Sequence, residues 1–268
     1  MGLGQWLEIG RMDELGRLDT PVHRLDARAK VITTLVFIVV VMSFPRYEVS
    51  ALMPFFLYPF ALIALGRIPS GYILRKIMLA SPFALFIGMF NPLLDHQTVA
   101  SIGAWSISGG WLSFTSIMLR FFLTVSAALA LIACTGIHRL GAGLERMCVP
   151  RVFVVQLLFL YRYLFVVADE GARMMHSLEL RSAGPRSLRL RVYGSLVGHL
   201  LLRSMDRADR VYRAMVARGF NGEIRVLRQT SFRWTDWAFT GGWTAFFAVA
   251  RMWNLADALG RMLTGGGS

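Results

Sequence analysis

Only two cysteines, Cys134 and Cys148, occur in 268 residues, which excludes a disulfide scaffold and a paired-thiol redox centre. Both read as packing residues. Lysine is almost missing: Lys30 and Lys76 are the only two, so arginine supplies 27 of the 29 basic residues (29 − 2). Acidic residues number 16, leaving a formal charge of +13. No glycine-rich loop ending in Lys-Ser/Thr is present, so the chain is not expected to hydrolyse ATP. His-Glu-x-x-His, Cys-x-x-Cys and Gly-x-Ser-x-Gly are absent as well, which removes zinc hydrolases, dithiol chemistry and the hydrolase nucleophile elbow. The five histidines, His23, His96, His138, His176 and His199, stand singly, with no two at helical metal-ligand spacing. No metal site and no cofactor is therefore expected within the chain. Asp95-His96 reads as a solvated pair on a loop.

What is present is apolar. The chain is 55% hydrophobic and only 17% charged, with a mean hydropathy of +0.52. Soluble domains carry about 25% charged residues, and a disordered chain would have far fewer apolar ones. The composition is that of a polytopic membrane protein. A spanning helix needs roughly 20 mostly apolar residues, and five stretches qualify with help at their ends: Val31–Phe44, Val49–Leu65, Ile77–Leu94, Ile117–Ile137 and Trp237–Trp253. Lys30, Arg46 and Arg120 lie where they can snorkel to an interface. Pro54, Pro59 and Pro82 are tolerated where neighbouring helices satisfy the freed carbonyls.

Basic loops stay cytoplasmic, and this orients the chain. Arg11, Arg17, Arg24, Arg28 and Lys30 precede the first stretch, so the N-terminus reads as cytoplasmic. Arg67, Arg75 and Lys76 follow the second, whereas Asn91–Ser116 carries no Lys or Arg and reads as external, with Trp105 and Trp111 as interface anchors. Arg139, Arg146 and Arg151 return the chain to the inside. A further apolar stretch, Val152–Ala168, breaks this alternation if it crosses. It would place Asp169–Arg233, with thirteen arginines against six acids, on the outside. It also carries Arg162, and a mid-membrane arginine costs at least about 2.5–3.5 kcal/mol. Val152–Ala168 is therefore read as lying along the cytoplasmic side, giving five spans, or six if it crosses.

The basic block is helical in pattern. Val167, Met174, Met175 and Leu178 recur at three- and four-residue steps, and a longer amphipathic run follows from Val192 to Phe220. Asp206–Arg210 and Asp209–Arg213 are acid-before-base pairs at helical spacing. Both helices end alike, in Leu180-Arg181-Ser182-Ala183-Gly184-Pro185 and in Ala217-Arg218-Gly219-Phe220. Glycine, and once proline, is the stop signal. An arginine in such a last turn has two uses. It can satisfy the helix's own carbonyls, worth about 0.3–1 kcal/mol, or it can present a flat fork of donors to a partner's carboxylate.

Two such endings around an amphipathic helix, set between apolar spans, resemble the transmembrane (T) component of energy-coupling factor transporters, a class of ABC-type importers. Three further stretches match that family: His23-Arg24-Leu25-Asp26-Ala27-Arg28-Ala29-Lys30, with alanine where a proline is usual at position 27; Tyr161 through Glu170; and Gly198 through Ala208. The last two look most like the CbiQ branch, which serves cobalt or nickel uptake. The resemblance implies an all-α, L-shaped membrane protein: a cytoplasmic segment 1–30, membrane helices in 31–137, coupling helices in 138–234 and a last span in 235–263. Residues 264–268 look like a linker remnant. It implies that Arg181 and Arg218, flanked by Leu180, Ser182, Ala217 and Gly219, seat in two ATPase subunits, and that His23, Asp26, Arg28 and Lys30 form a structural motif. Leu180 stands where the family has alanine. The implied partners are two ATP-binding cassette subunits holding ATP–Mg, a substrate-binding membrane subunit of the CbiM type with a small CbiN-like accessory, and the lipid of a bacterial or archaeal plasma membrane. Nucleic acid is not among them. An importer of a vitamin or other micronutrient remains an alternative. So does a membrane enzyme with an arginine-rich substrate site, although its only adjacent acids, Asp169 and Glu170, would not face each other on a helix. A carrier working alone should line a path with ionisable groups, and only Arg120 and Arg162 lie in or beside apolar runs.

Overall fold

The computed structural model describes residues 16, 20–45, 49–94, 98–102, 105–181, 190–220 and 232–252; Asp95, His96, Ser182 and the terminal 264–268 lie outside them. The described chain is helical apart from one short hairpin. Pro21 opens α1 (Pro21–Arg24), where a missing N–H costs nothing. Asp26 then caps α2 (Ala27–Met42) by accepting the backbone N–H of Arg28 at 2.9 Å. Pro54 has no N–H to give, and Ser50–Phe56 winds as a 3₁₀ segment before relaxing into α3 (Leu57–Leu65). Next come α4 (Ser70–Leu94) and α5 (Gly109–Thr135). Between them β1 (Thr98–Ile102) pairs antiparallel with β2 (Trp105–Ser108), so the region read as an external loop contains a hairpin. Then follow α6 (Ile137–Arg146), α7 (Arg151–Arg181), α8 (Leu190–Ala217) and α9 (Trp234–Met252).

Among the described residues three helices are long and apolar enough to cross a membrane: Ser70–Phe90 within α4, α5 and α7; Ser50–Leu65 is apolar but shorter. By that measure α7 qualifies where Val152–Ala168 was read as lying alongside the membrane. The apolar half and the basic half that follows form one unbroken helix of 31 residues, because nothing between Ala168 and Arg173 breaks it. Gly171 alone is tolerated inside a helix. Conversely, α9 runs straight through Gly241 and Gly242; its 19 residues are long enough, but it is not apolar enough to join the set of three.

Two compact units make up the chain. Asp13–Gly136 with Thr230–Ser268 forms the larger one. Its core is aromatic: Phe37 of α2, Phe55, Tyr58 of α3 and Phe247 of α9 are all fully buried, and Phe37 and Tyr58 lie 4.8 Å apart by ring centroid. Trp243 meets Tyr58 edge-on at 5.0 Å. Tilted and edge-to-face geometries suit the ring quadrupoles and fasten α9 onto α2 and α3. Gly88 lets α4 approach α5 closely, since a Cβ there would come within 2.9 Å of the Phe114 ring. Ile137–Gln229, with Met1–Met12, forms the other unit. Within it α6 lies on α7 where Gly141 meets Leu158, and α7 lies on α8.

Candidate functional site

The arginine at the end of α8 is positioned by a complete C-terminal cap. Gly219 adopts φ +80°, the left-handed conformation that costs glycine little. Its N–H donates to the Val216 carbonyl at 2.9 Å, and the Phe220 N–H to the Met215 carbonyl at 3.0 Å. These two bonds are the Schellman pattern. They satisfy the Val216 and Met215 carbonyls without the Arg218 side chain. Ala217, Arg218 and Gly219 are all exposed. Arg181 ends α7, exposed beside Leu180, which is 75% exposed.

The two arginines are not side by side. Three contacts show α7 and α8 running antiparallel: Phe159 with Phe220 at 6.4 Å between rings, Glu170 with Arg203 at 2.7 Å, and Gly171 against Leu200. Residue numbers rise along one helix as they fall along the other. Arg218 therefore lies near the level of Phe159, and Arg181 lies about 30 Å further along α7 at 1.5 Å per residue.

Glu170 is the electrostatic centre of this pair. Its side chain is 18% exposed, while the guanidinium groups around it are open. Arg173 donates to one carboxylate oxygen at 2.8 Å, Arg203 to the other at 2.7 Å, and Arg207 stands 3.7 Å away. Those hydrogen bonds, Arg173 first and Arg203 next, hold the Glu170 carboxyl below the usual carboxylate range. A depressed folded pKa contributes stability that is fully present above the ordinary carboxyl value and lost as pH falls through the lowered one. Hydrogen exchange at amides 200–207, corrected for intrinsic rate, is expected to stay constant from about pH 8 to 5 and to accelerate only below about pH 4. A Glu170→Gln chain should show faster exchange throughout and no acid step.

The second group of sequence-selected residues lies in the other unit and is a buried polar knot. His23 is buried, its Nδ1 2.7 Å from the Thr20 hydroxyl. Arg28 reaches back to the Asp26 carboxylate at 3.2 Å and stacks over Phe232 at 5.2 Å. Lys30, 1% exposed, donates from Nζ to the Cys134 carbonyl at the end of α5 at 3.1 Å. Sequence reasoning missed the residue that ties this knot to α9. Asp236, 2% exposed, accepts the Asp26 N–H at 2.8 Å on one oxygen and the Arg233 N–H at 2.7 Å on the other. A sole acid in an apolar stretch, one turn into its helix, was the available signal. Among the described residues no three His, Cys, Asp or Glu side chains converge to hold a metal ion.

Residues 19–230 match the model of the cobalt transport protein family CbiQ. The chain belongs to that family. It is a CbiQ-like transmembrane component of an energy-coupling factor transporter. The nickel permease LarQ of Lactiplantibacillus plantarum is 33% identical over 180 residues, covering 61% of this chain and 65% of the permease, just under two thirds of its length. The energy-coupling factor transporter transmembrane protein EcfT of Heliobacterium modesticaldum is 28% identical over 257 residues, 89% of this chain and 95% of that one. The cobalt transport protein CbiQ of Rhodobacter capsulatus is 36% identical over 87 residues, 32% and 36% of the two chains.

Proposed function

We propose that this T component couples two ATPase subunits, which bind ATP–Mg, to a separate substrate-binding membrane subunit, and that the cargo is cobalt or nickel. The observation that carries the coupling reading is the placement of Arg181 and Arg218. They occupy opposite ends of one antiparallel helix pair, exposed, each on a helix C-terminus. One arginine per ATPase suits a spacing of about 30 Å, and a planar guanidinium suits a carboxylate seat. The chain itself contributes no catalysis. Its N-terminus and the 138–234 region lie on the cytoplasmic side of the plasma membrane, as the basic loops require.

When the ATPases close, the helix ends are drawn together, and α7 and α8 pass that displacement on. A flexible linker would absorb it; two packed helices with discrete contacts do not. The stripe Tyr193, Val197, Leu201, Met205, Tyr212 and Val216 on α8 is exposed and apolar, and the substrate subunit, of the CbiM type with its CbiN-like accessory, covers it. Metal cargo is supported by the printed names of the nickel permease and the Rhodobacter protein. One observation favours a second reading, a vitamin or other micronutrient: the EcfT relative aligns over far more of the chain than either of these.

The test is uptake by vesicles holding the whole complex, this chain with its ATPases and substrate subunit. Radioactive nickel or cobalt should enter only with ATP present and only with this chain in the complex. Uptake of a labelled vitamin with no metal uptake would move the assignment to the second reading. Metal uptake by this chain alone would overturn coupling altogether.

A further inference from the structure

Glu170 has a role that the two terminal arginines do not explain. Four features meet at one place on the α7–α8 pair. Glu170 is the partly buried carboxylate; Arg203 and Arg207, one turn apart on α8, both approach it, at 2.7 and 3.7 Å. Arg173, on its own helix, holds the second oxygen at 2.8 Å. The next residue, Gly171, has no side chain, and Leu200 lies against that bare backbone, 3.4 Å from where a Cβ would stand. Beyond this place Met174, Met175 and Leu178 of α7 and Val192 and Leu196 of α8 stay half-buried, while other side chains open to solvent. Arg173, His176, Ser177, Glu179, Leu180 and Arg181 are exposed on α7, as are Tyr193 to Ser195 and Val197 to His199 on α8.

We propose that Glu170 is a positioning residue, the bearing about which α7 and α8 rotate against each other during coupling. The proposal rests on the ATPase-coupling reading above. Interdigitated side chains fix an interhelical angle, because ridges must leave one set of grooves to enter another. A leucine on a glycine backbone imposes no such lock. A carboxylate accepts up to about four hydrogen bonds in a broad range of directions, so as the helices turn it passes between Arg203 and Arg207 without losing a charged partner. Rotation is therefore easy, while separation or sliding would strip a carboxylate from its guanidinium groups and is resisted. Displacement is least at the bearing and grows with distance from it. Phe159 and Phe220 stand about 17 Å away along the helices, at 1.5 Å per residue, and must shift past each other.

The experiment uses the whole complex in vesicles, with nickel or cobalt ions as the probe and Cys148 replaced by serine. With Glu170→Gln, the ATPases should still copurify and hydrolyse ATP within about twofold of the parent rate, while metal uptake per ATP falls about tenfold, within the usual range of intersite coupling. Glu170→Asp, which keeps the charge, should restore most of the uptake. Short bifunctional cross-links supply the second arm. Joining Gly171→Cys to Leu200→Cys should leave most uptake intact, whereas joining Phe159→Cys to Phe220→Cys should stop it. The proposal is overturned if Glu170→Gln leaves uptake unchanged, or lowers uptake only in step with ATPase binding. It is equally overturned if the cross-link at 171 and 200 stops uptake as fully as the one at 159 and 220. Failure of the coupling reading shows differently: the unmodified chain then retains no ATPase.

Discussion

Arg181→Glu combined with Arg218→Glu should give a chain that inserts and folds normally, binds no ATPase and supports no uptake. Both side chains sit on exposed helix ends, and no described contact of the fold depends on them. At α8 the Schellman cap already satisfies the Val216 and Met215 carbonyls through Gly219 and Phe220, so reversal there costs the helix mainly its dipole term, about 0.3–1 kcal/mol. At an interface the same change is far larger. Losing one partner of a desolvated charge pair costs about 2–5 kcal/mol, and reversal adds repulsion. Two seats on one scaffold act together, so each single reversal should weaken binding while the pair removes the avidity as well. Arg210→Glu is the control, an exposed arginine on the same helix about two turns before its C-terminal end; it should leave ATPase retention and uptake near the parent level. Retained ATPase binding in the double variant would show that these arginines only finish their helices.

Asp236→Ala is the substitution expected to damage the fold most for its size. The carboxylate is buried and accepts two backbone N–H groups, from Asp26 and Arg233. Alanine removes the acceptor of the buried Asp26 N–H, at about 1–3 kcal/mol, and that of the part-buried Arg233 N–H, which water can partly replace. It also removes a negative charge from the first turn of α9. The N-terminal motif and α9 should then come apart together, since Asp26 is held by Asp236 and itself caps α2. Cys134, a fully buried thiol in no disulfide, reports this directly. In a Cys148→Ser chain, thiol labelling of Cys134 on heating should begin at a clearly lower temperature for Asp236→Ala. Asp236→Asn, which keeps one acceptor oxygen, should fall between. An unchanged labelling curve would mean that the knot does not hold the unit.

The parts of this architecture that were readable in the sequence are those written in local spacing. Gly219 announces a stop, and the amphipathic pattern through Leu196, Leu200, Met205, Ala208, Val211 and Met215 announces a helix; each needs only a few neighbouring residues to decide it. The features that escaped are non-local. Glu170 could be seen as half of an acid pair with Asp169, and Arg173 stands at helical spacing from it, but its partners on α8, Arg203 and Arg207, lie 33 residues and more along the chain, and no spacing rule connects them. Asp236 meets Asp26 across 210 residues. The unbroken course of α7 escaped for another reason: the change from apolar to basic near Ala168 looks like a boundary, yet composition does not end a helix without a cap or a breaker. The hairpin at 98–108 is two short strands of small and β-branched residues in an otherwise helical chain, too brief for periodicity to separate from a loop.

The central claim is that the ends of α7 and α8 each contact an ATPase subunit. Leu180→Cys and Ala217→Cys test it most directly, because both positions are exposed beside an arginine that stays intact. With a short thiol-directed photoreactive reagent in membranes holding the whole complex, each position should cross-link to an ATPase subunit, and a chain carrying both should capture two. Cross-linking of neither position to an ATPase, in membranes where the ATPases still copurify with the chain, would contradict the account.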